Sequence, residues 1–149
     1  MTDMQTAAEM PGTGPGGMAS ARTLSGRKVL VVDDDARNVF ALCGVLEQQR
    51  VNVLSAENGP DAIEILKRNP DSNAVLMDIM MPGLDGYDTI RLIRSIPRFR
   101  DLPIIAVTAR AMHGDREKCL EAGASDYVAK PVNTDQLMSL VRTWVAADE

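Results

Sequence analysis

The chain has 149 residues and a formal net charge of −5, which fits one domain with a packed core and leaves two domains cramped. An acidic balance argues against direct non-specific nucleic-acid binding, which needs a basic face, but leaves a protein partner open. No apolar run is long enough to span a membrane and no basic start precedes an apolar segment, so neither membrane insertion nor secretion is indicated and the cytoplasm is expected.

Residues 1–26 differ from the rest. The stretch MPGTGPGGMASA, beginning at Met10, has no helical or strand period and too little apolar content to offset its ordering entropy. It reads as a disordered leader or linker, with one domain over 27–149.

From Lys28 onward, strand and helix patterns alternate. Val29–Val32 is a continuous β-branched and aliphatic run, as in a strand covered on both faces, and it ends in Asp33-Asp34-Asp35. Val39, Leu42, Cys43 and Leu46 then recur at helical spacing to about Gln49, and Asp35 reads as the residue that starts this helix. Val51–Ala56 is a second strand, more alternating and so expected near an edge. Asn58 can cap a helix through Arg68, with Ala62, Ile63 and Leu66 inward and Asp61 in the favourable first turn.

The third strand, Ala74–Met77, ends at the carboxylate of Asp78, and Pro82-Gly83 and Asp85-Gly86 follow at once. Asp85 can cap the next helix, which carries Ile90, Leu92 and Ile93 before Pro97 blocks continuation. Ile104–Val107 is a fourth strand ending at Thr108. A helix over Asp115–Ala122 follows, with Gly123 as its C-terminal cap. Tyr127–Ala129 is a fifth, short strand running into Lys130-Pro131. Asn133 and Gln136 form a capping pair for a last helix that buries Leu137, Leu140, Val141 and Trp144. The cysteines, Cys43 and Cys119, match no zinc or redox spacing and are expected reduced in packed helices.

Strict alternation of strand and helix implies parallel strands joined by right-handed crossovers, a doubly wound α/β sandwich. Such sheets bind ligands outside the carboxyl ends of their strands, where this chain places Asp33, Asp34, Asp78, Thr108 and Lys130. Carboxylates gathered there repel: at about 4 Å each pair costs roughly 1 kcal/mol in water-like surroundings and roughly 4 at an effective dielectric of 20. An all-oxygen set suits a hard cation, and Mg²⁺ is usual where phosphate is handled. Lys130 adds a point charge for a phosphate oxygen and Thr108 a hydroxyl donor, which makes a phosphoryl-transfer set. No Gly-rich phosphate cradle accompanies it, so the phosphoryl group is expected to arrive already activated rather than from bound ATP.

The segments VVDDD, MDIMMPGLDG, VTA and DYVAKP, in this order and spacing, resemble the receiver domain of two-component response regulators over roughly Lys28 to Val145. That resemblance implies a flavodoxin-like five-stranded parallel sheet of order 2-1-3-4-5, with five helices on its two faces. It implies Asp78 as phospho-acceptor from a histidine kinase or histidine phosphotransfer protein. Asp33 and Asp34 match the acidic pair that holds Mg²⁺, Asp34 directly and Asp33 through water, with the Met80 backbone carbonyl completing the protein ligands. Lys130 is implied to pair with a phosphoryl oxygen before a cis bond to Pro131. Thr108 and Tyr127 match a switch pair in which the hydroxyl moves to the phosphoryl group and the ring turns inward. The resemblance implies a switch with self-catalysed phosphorylation and slow self-hydrolysis, not an enzyme in the usual sense, and no membrane or nucleic-acid partner.

Blander readings stand beside these. His113 reads as a surface residue rather than a phosphate carrier, and Trp144 as packing. Met80 and Arg110, each two positions beyond a site residue, are placed to hinder the hydrolytic water. The motif wording is nearest to receivers of hybrid histidine kinases, with a stand-alone receiver also open. From another class, Asp33-Asp34-Asp35 satisfies the DxD of haloacid-dehalogenase-like Mg²⁺-dependent phosphatases, with Asp33 as nucleophile and Asp35 as general acid. Arg37 then stands where a small residue belongs. A phosphate-independent, receiver-like interaction module is the third reading.

Overall fold

The computed structural model describes residues 24–81, 85–108 and 115–145. Five parallel strands, β1 (Lys28–Val32), β2 (Asn52–Ala56), β3 (Ala74–Asp78), β4 (Ile104–Thr108) and β5 (Asp126–Ala129), form one sheet of order β2-β1-β3-β4-β5. The expected order is therefore the observed one, and the alternating second strand lies at an edge. The helices are α1 (Ala36–Gln48), α2 (Gly59–Arg68), α3 (Gly86–Arg94), α4 (Asp115–Ala122) and α5 (Thr134–Val145), with a 3-10 turn at Pro97–Phe99.

The period-two geometry of the strands sorts the core into two halves. Leu30, Val32, Val75, Met77, Ile104 and Ala106 face α2, α3 and α4, whereas Val29, Val31, Leu76, Ile105, Val107 and Val128 face α1 and α5. Both faces are covered, and the central strands β3 and β4 are buried along their whole length.

Caps stop and start the helices where the side-chain chemistry indicates. Asp35 accepts from Arg37 N, Asn58 from Asp61 N, Asp85 from Asp88 N, and Asn133 from Gln136 N. Gly123 takes φ +116°, the backbone region that lets α4 end and the chain turn into β5.

Several expectations need correction. Of the apolar residues that α3 carries, Leu92 is 45% exposed. The buried face of α3 is set by Gly86, Thr89, Ile90 and Ile93, and at 100° per residue Leu92 falls roughly opposite Ile90. In α5 the deepest residues are Leu137, Met138, Val141 and Val145, with Leu140 and Trp144 at the rim. Val39, Cys43 and Ile63 are likewise partly buried. Leu24 is 2% exposed and packs in the half-core with α1 and α5, while Gly26 N–H donates to Arg50 O, so the packed unit reaches back at least to Leu24. Residues 1–23 lie outside the described residues. Neither Cys43 nor Cys119 is in a disulfide. No helix among the described residues is long and apolar enough to cross a membrane.

Candidate functional site

Four adjacent strands deliver the site. Asp33 follows the last residue of β1, Asp78 ends β3, Thr108 ends β4, and Lys130 follows the last residue of β5. The register pairs Val32 with Met77, Asp78 with Val107 and Thr108 with Ala129, which sets these four positions side by side along one edge. The strand order turns back between β1 and β3, the usual crevice of a doubly wound sheet.

Backbone N–H groups orient the carboxylates. Asp33 Oδ1 accepts from Asp35 N at 2.8 Å, and Asp78 Oδ1 accepts from Met80 N at 3.1 Å. Asp33 and Asp78 are each 2% exposed, whereas Asp34 lies open to solvent. One oxygen from each of Asp33, Asp34 and Asp78 lies within 4.8 Å of the others. The Lys130 ammonium stands 3.4 Å from Asp78 Oδ1 and 3.6 Å from Asp33 Oδ2. Its own N–H donates to Thr108 O at 2.7 Å, and the Lys130–Pro131 peptide is cis.

Burial, and next the Asp33 charge, push the Asp78 carboxyl up from 3.8 to about 6; Lys130 and the Met80 N–H pull the other way without cancelling them. The site therefore holds more negative charge than one ammonium offsets. Three oxygen donors, no nitrogen or sulfur among them, and unbalanced negative charge fit a hard divalent cation. Among the described residues these are the acids close enough to share one ion. A cleft of about 240 Å³ opens beside Asp33 and Lys130, walled by Asn38, Leu42, Pro131 and Thr134.

Thr108 is 3% exposed at the end of β4, beside the acids in strand register. Tyr127 is half-buried against the half-core with α2, α3 and α4. The Met80 side chain is 57% exposed. Asp35 does not join the cluster: its carboxylate caps α1 and pairs with Arg37, which holds it below the ordinary carboxylate value. That arrangement sets Asp35 apart from the three clustered acids. Arg110 and His113 lie outside the described residues. The side-chain motifs could not reveal the Asp35 and Met80 N–H groups that aim the two buried acids, because any residue but proline supplies them.

A family model described as the response regulator receiver domain matches residues 29–142. The chain is 42% identical over 113 residues to the signal transduction histidine-protein kinase BarA of Shigella flexneri, a match that covers 76% of this chain and 12% of that protein. The chain thus spans only a small part of that relative. The receiver domain of the sensor histidine kinase PA1611 from Pseudomonas aeruginosa, solved with magnesium coordinated in its active-site cleft, superposes with a TM-score of 0.75 at 37% identity, covering 81% of this chain and 98% of that one. A co-crystal structure of the Saccharomyces cerevisiae phosphotransfer protein Ypd1 with the receiver domain of Ssk1 gives a TM-score of 0.78 at 26% identity, covering 85% and 93%.

Proposed function

Because the chain belongs to the response regulator receiver domain family, we propose that it takes a phosphoryl group onto Asp78 from a phosphohistidine on a histidine kinase or histidine phosphotransfer protein. It is a phospho-acceptor switch rather than an enzyme in the usual sense. The observation that carries this reading is the meeting of Asp33, Asp34 and Asp78 within 4.8 Å, with the Lys130 ammonium 3.4 Å from the acceptor.

In the transfer, a carboxylate oxygen of Asp78 attacks phosphorus. The bond from phosphorus to the donor imidazole nitrogen breaks, its electron pair stays on nitrogen, and an acyl phosphate forms. Met80 N–H and Lys130 both address Oδ1 of Asp78, so Oδ2 is the attacking oxygen. Lys130 then pairs with a phosphoryl oxygen, and the Thr108 hydroxyl donates to another. Asp33, Asp34, Asp78 and the Met80 backbone carbonyl would hold Mg²⁺, Asp33 through water. The ion supplies charge neutralisation at the transferring group when bound.

The product carries roughly 1.5 to 2 negative charges and three acceptor oxygens. Thr108 closes on it, the Tyr127 ring turns inward, and the surface around α4 and β5 is biased between two states. Attack by water returns the carboxylate and inorganic phosphate, slowed by the exposed Met80 side chain two residues beyond the acceptor. Phosphohistidine made from ATP is a cytoplasmic species, so the domain works there. The motif wording and the likeness to BarA favour a receiver attached to a histidine kinase.

The test is treatment with a small phosphodonor and Mg²⁺, followed by mapping of the modified residue. Label at Asp78, lost in Asp78→Asn and on chelation, is the expected result. Label at Asp33 would instead support the phosphatase reading.

A further inference from the structure

Gly86 has no part in the chemistry described so far, yet its contacts are tighter than those of Gly26, Gly44 or Gly123. A Cβ built on it would stand 2.5 Å from the carbonyl oxygen of Asp78 and 2.6 Å from Ile79 Cα, with Ile79 Cδ1 at 3.0 Å. The first two are backbone atoms of the acceptor and its neighbour, so no side-chain rotation relieves them. Gly86 N–H also donates to Ile79 O at 3.1 Å, which stitches the first residue of α3 to the chain just past Asp78.

The other side of this contact is rigid. Asp85 caps α3, Thr89 N and Thr89 Oγ1 both donate to Asp85 O, at 3.0 and 2.8 Å, and Thr89 and Ile90 are wholly buried. The end of α3 is thus a fixed abutment, and the segment after Asp78 must yield if a side chain is inserted. Displacing Ile79 displaces Met80, whose N–H holds Asp78 Oδ1.

We infer that Gly86 is a positioning residue for phosphoryl acceptance: the missing side chain lets α3 press against the Asp78–Ile79 backbone and fixes where the acceptor carboxylate and Met80 stand. This rests on Asp78 being the acceptor. Gly86→Ala moves backbone by several tenths of an ångström or more, and misplacement by about 1 Å costs roughly 100-fold in rate when the geometry of attack is critical.

The experiment measures the initial rate of Asp78 labelling by a small phosphodonor with saturating Mg²⁺, the Mg²⁺ dissociation constant by calorimetry, and stability by urea denaturation. It compares wild type, Gly86→Ala, and the double variant Gly44→Ala/Gly86→Ala. Gly44 lies within α1 with nothing within 4 Å of a built Cβ, so Gly44→Ala raises stability without touching the site. Ile93→Val, a core change on the same helix, serves as a destabilised control. The expected result is a 10- to 100-fold slower labelling and weaker Mg²⁺ binding in Gly86→Ala, both persisting in the double variant and absent from Ile93→Val. Labelling within twofold of wild type in the double variant would overturn the inference while leaving Asp78 as acceptor. Failure of the wild type to label at Asp78 would overturn both.

Discussion

Replacing Asp78 by Asn should make the metal-free protein more stable at neutral pH. The native carboxyl titrates near 6, because burial and then the neighbouring Asp33 disfavour its charge, against 3.8 for an unstrained carboxylate. The folded state therefore binds the Asp78 proton more tightly than the unfolded chain does. A raised acid contributes its stability at low pH and loses it as pH climbs from about 4 through about 6. Two pH units at about 1.36 kcal/mol each give a penalty of about 3 kcal/mol above pH 7. Asn removes the charge and its oxygen can still accept from Met80 N–H and Lys130, but it leaves the Lys130 ammonium with less counter-charge, so a gain of about 1–3 kcal/mol at pH 7.5 is the working figure.

Urea denaturation with chelator, on wild type and Asp78→Asn from pH 4.5 to 8, tests this. The advantage of Asn should shrink by about 2 kcal/mol between pH 7.5 and pH 4.5, because wild-type Asp78 is already protonated when folded at the lower value. Mg²⁺ at pH 7.5 should stabilise the wild type more than the variant, since a ligand adds stability only to the state that binds it. A variant no more stable than wild type at pH 7.5, with a gap that ignores pH, would refute the claim that these acids crowd each other in a poorly solvated site.

Lys130→Met should act in the opposite direction: it strips the counter-charge from Asp33 and Asp78 and should lower metal-free stability at pH 7.5 by about 1–3 kcal/mol, read by the same denaturation curves. Combined with Asp78→Asn its cost should fall by about half or more, the coupling expected of residues in one network. Arg94→Met should cost about 2–4 kcal/mol, since its guanidinium donates to the carbonyls of Gly123 and Phe99 at 2.8 Å and tethers α3 to the turn before β5. Burial pulls that guanidinium below its ordinary value, with Asp101 opposing, and it stays charged throughout, so the loss should be flat from pH 5 to 8. Gly44→Ala should raise stability by about 0.5–1 kcal/mol, because a helix-interior glycine with open space beside it loses only backbone entropy.

Much of the fold is legible because its signals are local. A β-branched run ending in acids, an Asx residue before a helical stripe, and glycine after one each act within a few residues, and the observed caps fall on Asp35, Asn58, Asp85 and Asn133. The site is legible for a different reason: the alternation of strand and helix puts Asp33, Asp34, Asp78, Thr108 and Lys130 at the carboxyl ends of strands, and carboxylates, a hydroxyl and an ammonium gathered there form a recognisable set. What hides is whatever depends on contacts between segments distant in sequence. Leu92 counts as apolar in a short helix, and only the packing of α3 shows that it faces out. Leu24 sits beside a Gly- and Pro-rich stretch whose composition conceals one core residue. Asp126 accepts the Trp144 indole N–H at 3.1 Å, a link between β5 and α5 that no spacing rule foretells. The aspartate and glycine of Asp85-Gly86 read as a turn; that the glycine abuts the backbone of Asp78 and Ile79 needs the third dimension.

Two places where the described residues break ordinary rules lie within nine residues of each other. Asp78 is a buried acid set beside a second buried acid, and Gly86 is a weak helix former at the head of α3. An amide would relieve the first, whereas at the second any side chain would meet the backbone of Asp78 and Ile79. Both choices make sense together if the crowded carboxylate must stand in one spot: the repulsion that lifts its proton affinity also makes the pocket gain most when a cation arrives, and that gain reaches phosphorus only if the attacking oxygen is held still. A looser loop would relax the repulsion by letting Asp78 swing away from Asp33, and with it would go the affinity for the cation. The close backbone contact at Gly86 prevents that escape, so the electrostatic strain at Asp78 and the steric tightness at Gly86 are two parts of one arrangement, and relieving either should cost function while sparing the fold.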